Sequence, residues 1–220
     1  MNRVVVLLAS AAICVAAAGR PAEAQEDPPP RIGPYVVDLH GVVPRFGNDP
    51  GLAESRALSQ AELPGSGLGI SAGAHVYLPK IRSITIGLGG RLTIGRSPMP
   101  IFSGQPDPSL ELRAVTETLT SMLSELSLNF GNGNGWSYLS GGIGALTWSI
   151  VPEGIAPRPA DEERRKTVNY GGGARWFAKK RLAFSLDVRF YEIANGTGLS
   201  GLPASPRTRL LVIGAGISVR

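Results

Sequence analysis

The chain has almost no cysteine and almost no histidine, and each shortage removes a class of function. Its one cysteine, Cys14, lies inside the apolar stretch Val4 to Ala18. Beyond residue 24 there is no thiol for a disulfide or a nucleophile, so the chain must hold together by other means. Cys14 is not a lipidation site either, because Ile13 before it is not small. The two histidines, His40 and His75, match no metal-ligand spacing, so neither a metal nor a cofactor is expected. A phosphate-binding loop is also missing. Gly89-Gly90, Gly141-Gly142 and Gly171-Gly172-Gly173 sit within strand-like segments with no helix following, and read as packing glycines. The formal net charge of +5 is spread over segment ends and connections rather than clustered, which excludes nucleic acid as a partner.

What the chain does have begins with its leader. Arg3 precedes the apolar stretch, and Ala22-Glu23-Ala24 offers the small-x-small pattern of a signal peptidase site. Residues 1–24 are therefore expected to be a signal peptide, cut after Ala24, with Ala22 and Ala24 as its recognition residues. Residues 25–33, with Pro28-Pro29-Pro30, form an extended leader in the compartment beyond, because a proline run cannot join a sheet. Residues 34–220 make up one domain.

That domain carries a period-two pattern, the mark of β-strands. Eight segments fit: 35–43, 68–78, 84–94, 118–130, 136–150, 168–177, 182–191 and 211–219. The clearest has Leu182, Phe184, Leu186, Val188 and Phe190 opposite Ala183, Ser185, Asp187, Arg189 and Tyr191. Connections alternate long and short. The long ones span 45–66, with a helical turn near Leu52 to Ala61, then 96–116, the stretch around 152–166, and 194–206. The short ones are Pro79 to Arg82, the Gly131-Asn132-Gly133-Asn134-Gly135 turn, and Lys179-Lys180-Arg181. The charged run Asp161 to Lys166 reads as a solvated loop tip. An all-β fold follows: an eight-stranded antiparallel up-and-down barrel.

Polarity separates a soluble barrel from a transmembrane one. The second face carries Asp38, His40, Arg91, Glu125, Arg175, Asp187 and Arg189 among many glycines, a mixture of signs suited to a narrow lumen. The apolar face then meets lipid. Aromatic residues gather near strand ends as two girdles would: Phe130 and Trp136 at one short turn, Trp176, Phe177 and Phe184 at another, and Phe46, Trp148, Phe190 and Tyr191 near the long loops. Closure suits a bilayer, where an unpaired backbone group costs several kcal/mol.

The segments Trp136-Ser-Tyr-Leu-Ser-Gly-Gly-Ile-Gly, Tyr170-Gly-Gly-Gly-Ala-Arg-Trp-Phe and Leu186-Asp-Val-Arg-Phe-Tyr resemble strands five to seven of the small OmpA-like outer-membrane β-barrels of Gram-negative bacteria. The last strand resembles that family's terminal assembly signal, carried here by Gly214, Ile217 and Val219. The departure is the end itself, Val219-Arg220 where the family favours an aromatic residue. The resemblance implies a cell outer-membrane location, with outer-membrane lipid and the barrel assembly machinery as partners.

Eight strands enclose a space that side chains fill, so a general pore is not expected. The chain reads as a non-enzymatic structural or surface-interaction protein that presents four long extracellular loops to an outside partner. A lumen ion-pair network stiffens it: Glu125 with Arg91, and Asp187 with Arg175 or Arg189, alongside Asp38. Two other readings stand beside this one. A lipid A-modifying hydrolase would need a serine–histidine pair on the lipid side, where neither His40 nor His75 lies, and a soluble lipocalin-like carrier would swap the faces.

Overall fold

The computed structural model describes residues 30–97 and 114–220. The signal-peptidase residues Ala22 and Ala24, and most of the leader, lie outside them. Eight strands run in order: β1 (Tyr35–Arg45), β2 (Leu68–Tyr77), β3 (Ile84–Arg96), β4 (Val115–Asn132), β5 (Gly135–Pro152), β6 (Arg164–Phe177), β7 (Leu182–Ile193) and β8 (Thr208–Val219). Each pairs antiparallel with its sequence neighbour, and β1 pairs with β8, closing an up-and-down barrel. No sheet edge is left open. Long connections join β1–β2, β3–β4, β5–β6 and β7–β8, and tight ones join the other pairs.

Side chains alternate across the wall. Through the middle of the barrel the outward set is apolar: Val37 and Leu39 on β1, Leu88 and Leu92 on β3, Met122 and Leu126 on β4, Leu186 and Val188 on β7. The inward set there is polar and buried, including Asp38, His40, His75, Arg91, Glu125, Arg175, Asp187 and Arg189. Toward the long connections this polarity reverses along the same strands. On β4, Thr116, Thr118 and Thr120 face outward while Val115 and Leu119 are buried; on β5, Thr147 and Ser149 face outward while Trp148 and Ile150 are buried. Lys166 on β6, Glu192 on β7 and Arg209 on β8 continue the polar outer ring, above buried Tyr191, Ile193, Leu210 and Val212.

This reversal explains where the strands exceed the sequence-based bounds. β4 starts at Val115, β5 runs to Pro152 and β6 starts at Arg164. The run Asp161 to Lys166 is not a solvated tip: it contains the start of β6, and Asp161 and Arg165 are both buried. The aromatic girdles are also corrected. Phe130, Trp176 and Phe184 point outward, but Trp136 is buried at the short-turn end, and Phe46, Trp148 and Tyr191 are buried at the other. Parity decides the strand residues, since one step along a strand changes face, and Phe46, just past β1, is buried in the apolar cluster at that end.

Both ends are closed by packed side chains. At the short-turn end Ile32, Trp136 and Tyr138 pack with Tyr77 and Phe177, and Trp136 stacks on Phe177 at 5.1 Å between centroids. Arg220 covers Phe177 at 4.1 Å and donates to the carbonyls of Lys180 and Gly133. At the opposite end the β1–β2 connection folds over the mouth. Its helix α1 (Pro50–Glu54), capped by the Asp49 side chain accepting from the Leu52 amide, and a 3-10 turn (Gln60–Glu62) bring Leu52, Ala53, Leu58 and Leu63 onto Phe46, Leu119, Trp148 and Leu210. The expected helical turn is therefore present, and it is a cover.

Glycine permits a close strand approach at Gly171, where an added Cβ would lie 2.1 Å from the Val188 carbonyl oxygen on β7. Gly171→Val should therefore prevent β6–β7 pairing and abolish the folded barrel, whereas Gly41→Ala, with its nearest neighbour at 3.9 Å, should fold normally. Far-UV circular dichroism of the refolded variants compares them, and a normally folded Gly171→Val would contradict the geometry.

Candidate functional site

Three carboxylates and three guanidinium groups meet in the lumen, each brought there by a strand position of inward parity. Glu125 on β4 is the centre. Its Oε1 accepts from Arg91 Nε at 3.0 Å, Arg189 Nη1 at 2.9 Å and Asn169 Nδ2 at 2.7 Å. His75 Nε2 lies 3.4 Å from its Oε2. Asp187 takes Arg189 Nε on one oxygen at 2.6 Å and the Tyr138 hydroxyl on the other, with Arg91 Nη2 3.8 Å away. Asp38 is held by a bidentate Arg175, at 2.9 and 2.6 Å, and by the Ser218 hydroxyl. His75 Nδ1, 4.0 Å from Asp38, stands between the two groups.

The structure thus places Glu125 with Arg91, and gives Asp187 to Arg189. Arg175 does not join Asp187; it pairs with Asp38 and lies 4.2 Å over the Tyr138 ring. The reason is register: Arg175 faces Ser185 on β7, near the short-turn end where Asp38 also lies, opposite Ser218. All six side chains are nearly inaccessible to solvent. Their charges balance, which is the condition for burying so many of them. Gly214, Ile217 and Val219 lie on β8, with Ile217 and Val219 on its outward face and Gly214 inward.

Sequence reasoning missed a second buried pair. Arg56, just past α1, reaches Asp161 in the single helical turn α2 (Pro159–Glu162) at 3.1 Å, and donates to the carbonyls of Ala160 and Thr197. The Ser55 carbonyl accepts from the Leu199 amide. One arginine therefore ties the cover to the β5–β6 and β7–β8 connections. Burial pushes its guanidinium below the ordinary value, and the Asp161 carboxylate opposes that shift. No pattern of residues signals this contact, because 105 positions separate Arg56 from Asp161 and both lie in irregular connections. Glu117 on β4 was missed as well: it is fully buried beside Val115 and Leu119, and neither carboxyl oxygen has a hydrogen-bond partner among the described residues.

A serine–histidine contact does occur, His40 Nε2 to Ser185 Oγ at 2.7 Å, but both residues are buried in the lumen. His40 Nδ1 has no hydrogen-bond partner among the described residues, so no carboxylate there orients the ring as a hydrolytic triad requires. Among the described residues no group of His, Cys, Asp and Glu could hold a metal ion.

No protein-family model and no curated protein sequence matches the chain. Solved structures do. The crystal structure of Neisserial surface protein A (NspA) superimposes with a TM-score of 0.53 at 12% identity, over 85% of this chain and 97% of that one. The shared feature is the fold. The N-terminal β-barrel domain of Pseudomonas aeruginosa OprF matches over 84% of this chain and 96% of that one at 12% identity, with a TM-score of 0.39 that adds nothing further.

Two outcomes test the site. Glu125→Ala leaves Arg91 and Arg189 without their shared acceptor and should destabilise the barrel by about 3–5 kcal/mol, read as a lower urea midpoint, with Glu125→Gln losing less because it keeps an oxygen. Arg56→Ala should free the cover alone: limited proteolysis should cut within 49–63 while the barrel core resists. A variant as resistant as the parent would place the cover's attachment elsewhere.

Proposed function

We propose that the protein is an integral outer-membrane β-barrel protein of a Gram-negative bacterium, anchored by its barrel and presenting its four long connections outward as an interaction surface, with no general pore. The single observation that carries this is the polarity reversal along the strands. A band of outward apolar side chains encircles the barrel, and a polar ring closes it off exactly where the inside turns apolar and the cover begins. Water outside both ends and hydrocarbon between them account for both halves of the pattern. A soluble carrier would need the apolar set inward throughout.

The lumen supports the remaining parts of the reading. Its network is filled and charge-balanced, and aromatic packing closes the end of the short turns. Such an interior stiffens the barrel rather than conducting solutes. A lipid-side hydrolase is not favoured, since among the described residues the serine–histidine contact, His40 with Ser185, points inward. Outer-membrane lipid and the barrel assembly machinery are the partners this placement entails, the latter through Gly214, Ile217 and Val219 on β8. An outside partner would be met by the long connections.

Fractionation of expressing cells, followed by gel electrophoresis of unheated and boiled samples, tests the reading. The outer-membrane fraction should hold the protein, and the unheated band should run ahead of the boiled one. A soluble periplasmic protein with no heat-dependent shift would overturn it.

A further inference from the structure

The short-turn end carries side-chain charge of one sign. Arg31, Lys80, Arg82, Lys179, Lys180 and Arg181 are all exposed there, and the described residues 30–35, 77–84, 129–137, 176–184 and 218–220 include no aspartate or glutamate. The cations gather at hairpin tips. Ile81 and Ile84 exchange both backbone hydrogen bonds, which leaves Arg82 and Ser83 as the β2–β3 tip, and Lys179 and Leu182 do the same around Lys180 and Arg181. In the closed ring, four strands separate these two tips whichever way round they are counted. The tips therefore stand on opposite sides of the barrel mouth. Arg82 is held at a cost, since its φ of +55° lies in the left-handed region where glycine would be relaxed.

Between the tips lies a floor. The Pro30 carbonyl accepts from the Gly133 amide and the Arg220 side chain donates to the Gly133 carbonyl, so the leader and the last residue both reach the β4–β5 turn across the other diameter. A partner for this face needs charge of the opposite sign. Lipid headgroups surround a barrel and meet its outward strand faces, which here present Tyr35, Phe130, Trp176 and Phe184, whereas the cations sit on the tips, farthest from the apolar band. A sugar polymer would need free rings to stack on across the mouth, and Trp136 and Phe177 are taken up by each other and by Arg220. The partner left is a chain that bears several carboxylates and is long enough to reach from one tip to the other.

We propose that the short-turn face docks an acidic, extended polypeptide segment of another protein. The segment lies across the floor, with its carboxylates on Arg82 at one side and on Lys180 and Arg181 at the other. The inference adds a second interaction surface to that of the long connections. It rests on the outer-membrane reading only for the compartment, the periplasm, that supplies the partner.

The test is fluorescence anisotropy of labelled peptides with the full refolded protein in zwitterionic detergent at low salt. The probes are a dodecapeptide of alternating glutamate and serine, its glutamine counterpart, and a Glu-Ser-Glu tripeptide. The glutamate dodecapeptide should bind at least about ten-fold more tightly than either of the others, since only a long acidic chain engages both tips at once. Arg82→Gly, and separately Lys180→Gln/Arg181→Gln, should each weaken it about ten-fold. Arg82→Gly should also keep the heat-dependent gel shift of a folded barrel, because glycine suits that φ. Arg82→Gly/Asn195→Lys restores the net charge at the far end and should bind no better than Arg82→Gly. Affinity that follows net charge alone, or that the tip variants leave unmoved, would refute the face. Displacement of the dodecapeptide by phosphatidylglycerol or by polygalacturonate at equal charge would replace the polypeptide with a lipid or a sugar polymer. The gel assay keeps the two claims apart. A heat-shifted barrel that binds no acidic peptide refutes this face alone, whereas a soluble, unshifted protein that binds it removes the membrane reading and leaves the face standing.

Discussion

Everything else in the structure depends on the antiparallel ladder closing on itself between β1 and β8. A bilayer offers no water to an open strand edge, and an unsatisfied backbone group there costs several kcal/mol. Closure satisfies the whole wall without a disulfide. It also fixes the number of inward positions, so the interior must be filled from a set of side chains determined by parity. In mid-barrel those positions hold charges, and each charge is tolerable only because an opposite one reaches it. Glu125 is the clearest case, a carboxylate serving two arginines, one asparagine and one histidine. The glycines beside them serve the same end, since a lumen filled with arginine leaves little room for a bulky neighbour.

The upper third of the barrel obeys a different rule on the same strands. There the outside is polar, the inside is dry, and the β1–β2 connection supplies the missing wall of a small hydrophobic core. This core is built like that of a small soluble domain, stacked on a barrel whose outer band is apolar. Arg56 is what locks it, a cation that reaches two other connections at once. Glu117 is the exception within it, a buried carboxyl that no neighbour among the described residues satisfies.

How much of this was legible in the sequence follows from where period two has a constant sign. In β2, β3, β7 and β8 the apolar face is outward for most of the length, and alternation alone identified strand and face together. The lumen residues Asp38, Arg91, Glu125, Arg175, Asp187 and Arg189 were readable for the same reason. The upper ends of β4, β5 and β6 were not, because the alternation survives there with its sign reversed: Thr118 and Leu119 exchange the faces that Leu126 and Glu125 hold lower down. Trp148 looked like a girdle residue because it lies near a long loop, but parity points it inward. Pairings were harder still. Choosing Asp38 over Asp187 for Arg175 needs the register of nonadjacent strands, and the Arg56–Asp161 contact needs the path of two irregular connections.

Asp38 links the two ends of the chain. It sits on the first strand, its arginine comes from the sixth, and the hydroxyl that completes its shell comes from Ser218, two residues from the end. Its full set of partners therefore exists only when the first, sixth and last strands stand in one closed wall. Charge neutrality inside the wall is thus tied to closure: parting β8 from β1 would strip the Ser218 hydroxyl from Asp38, so the polar interior and the backbone ladder stand or fall together.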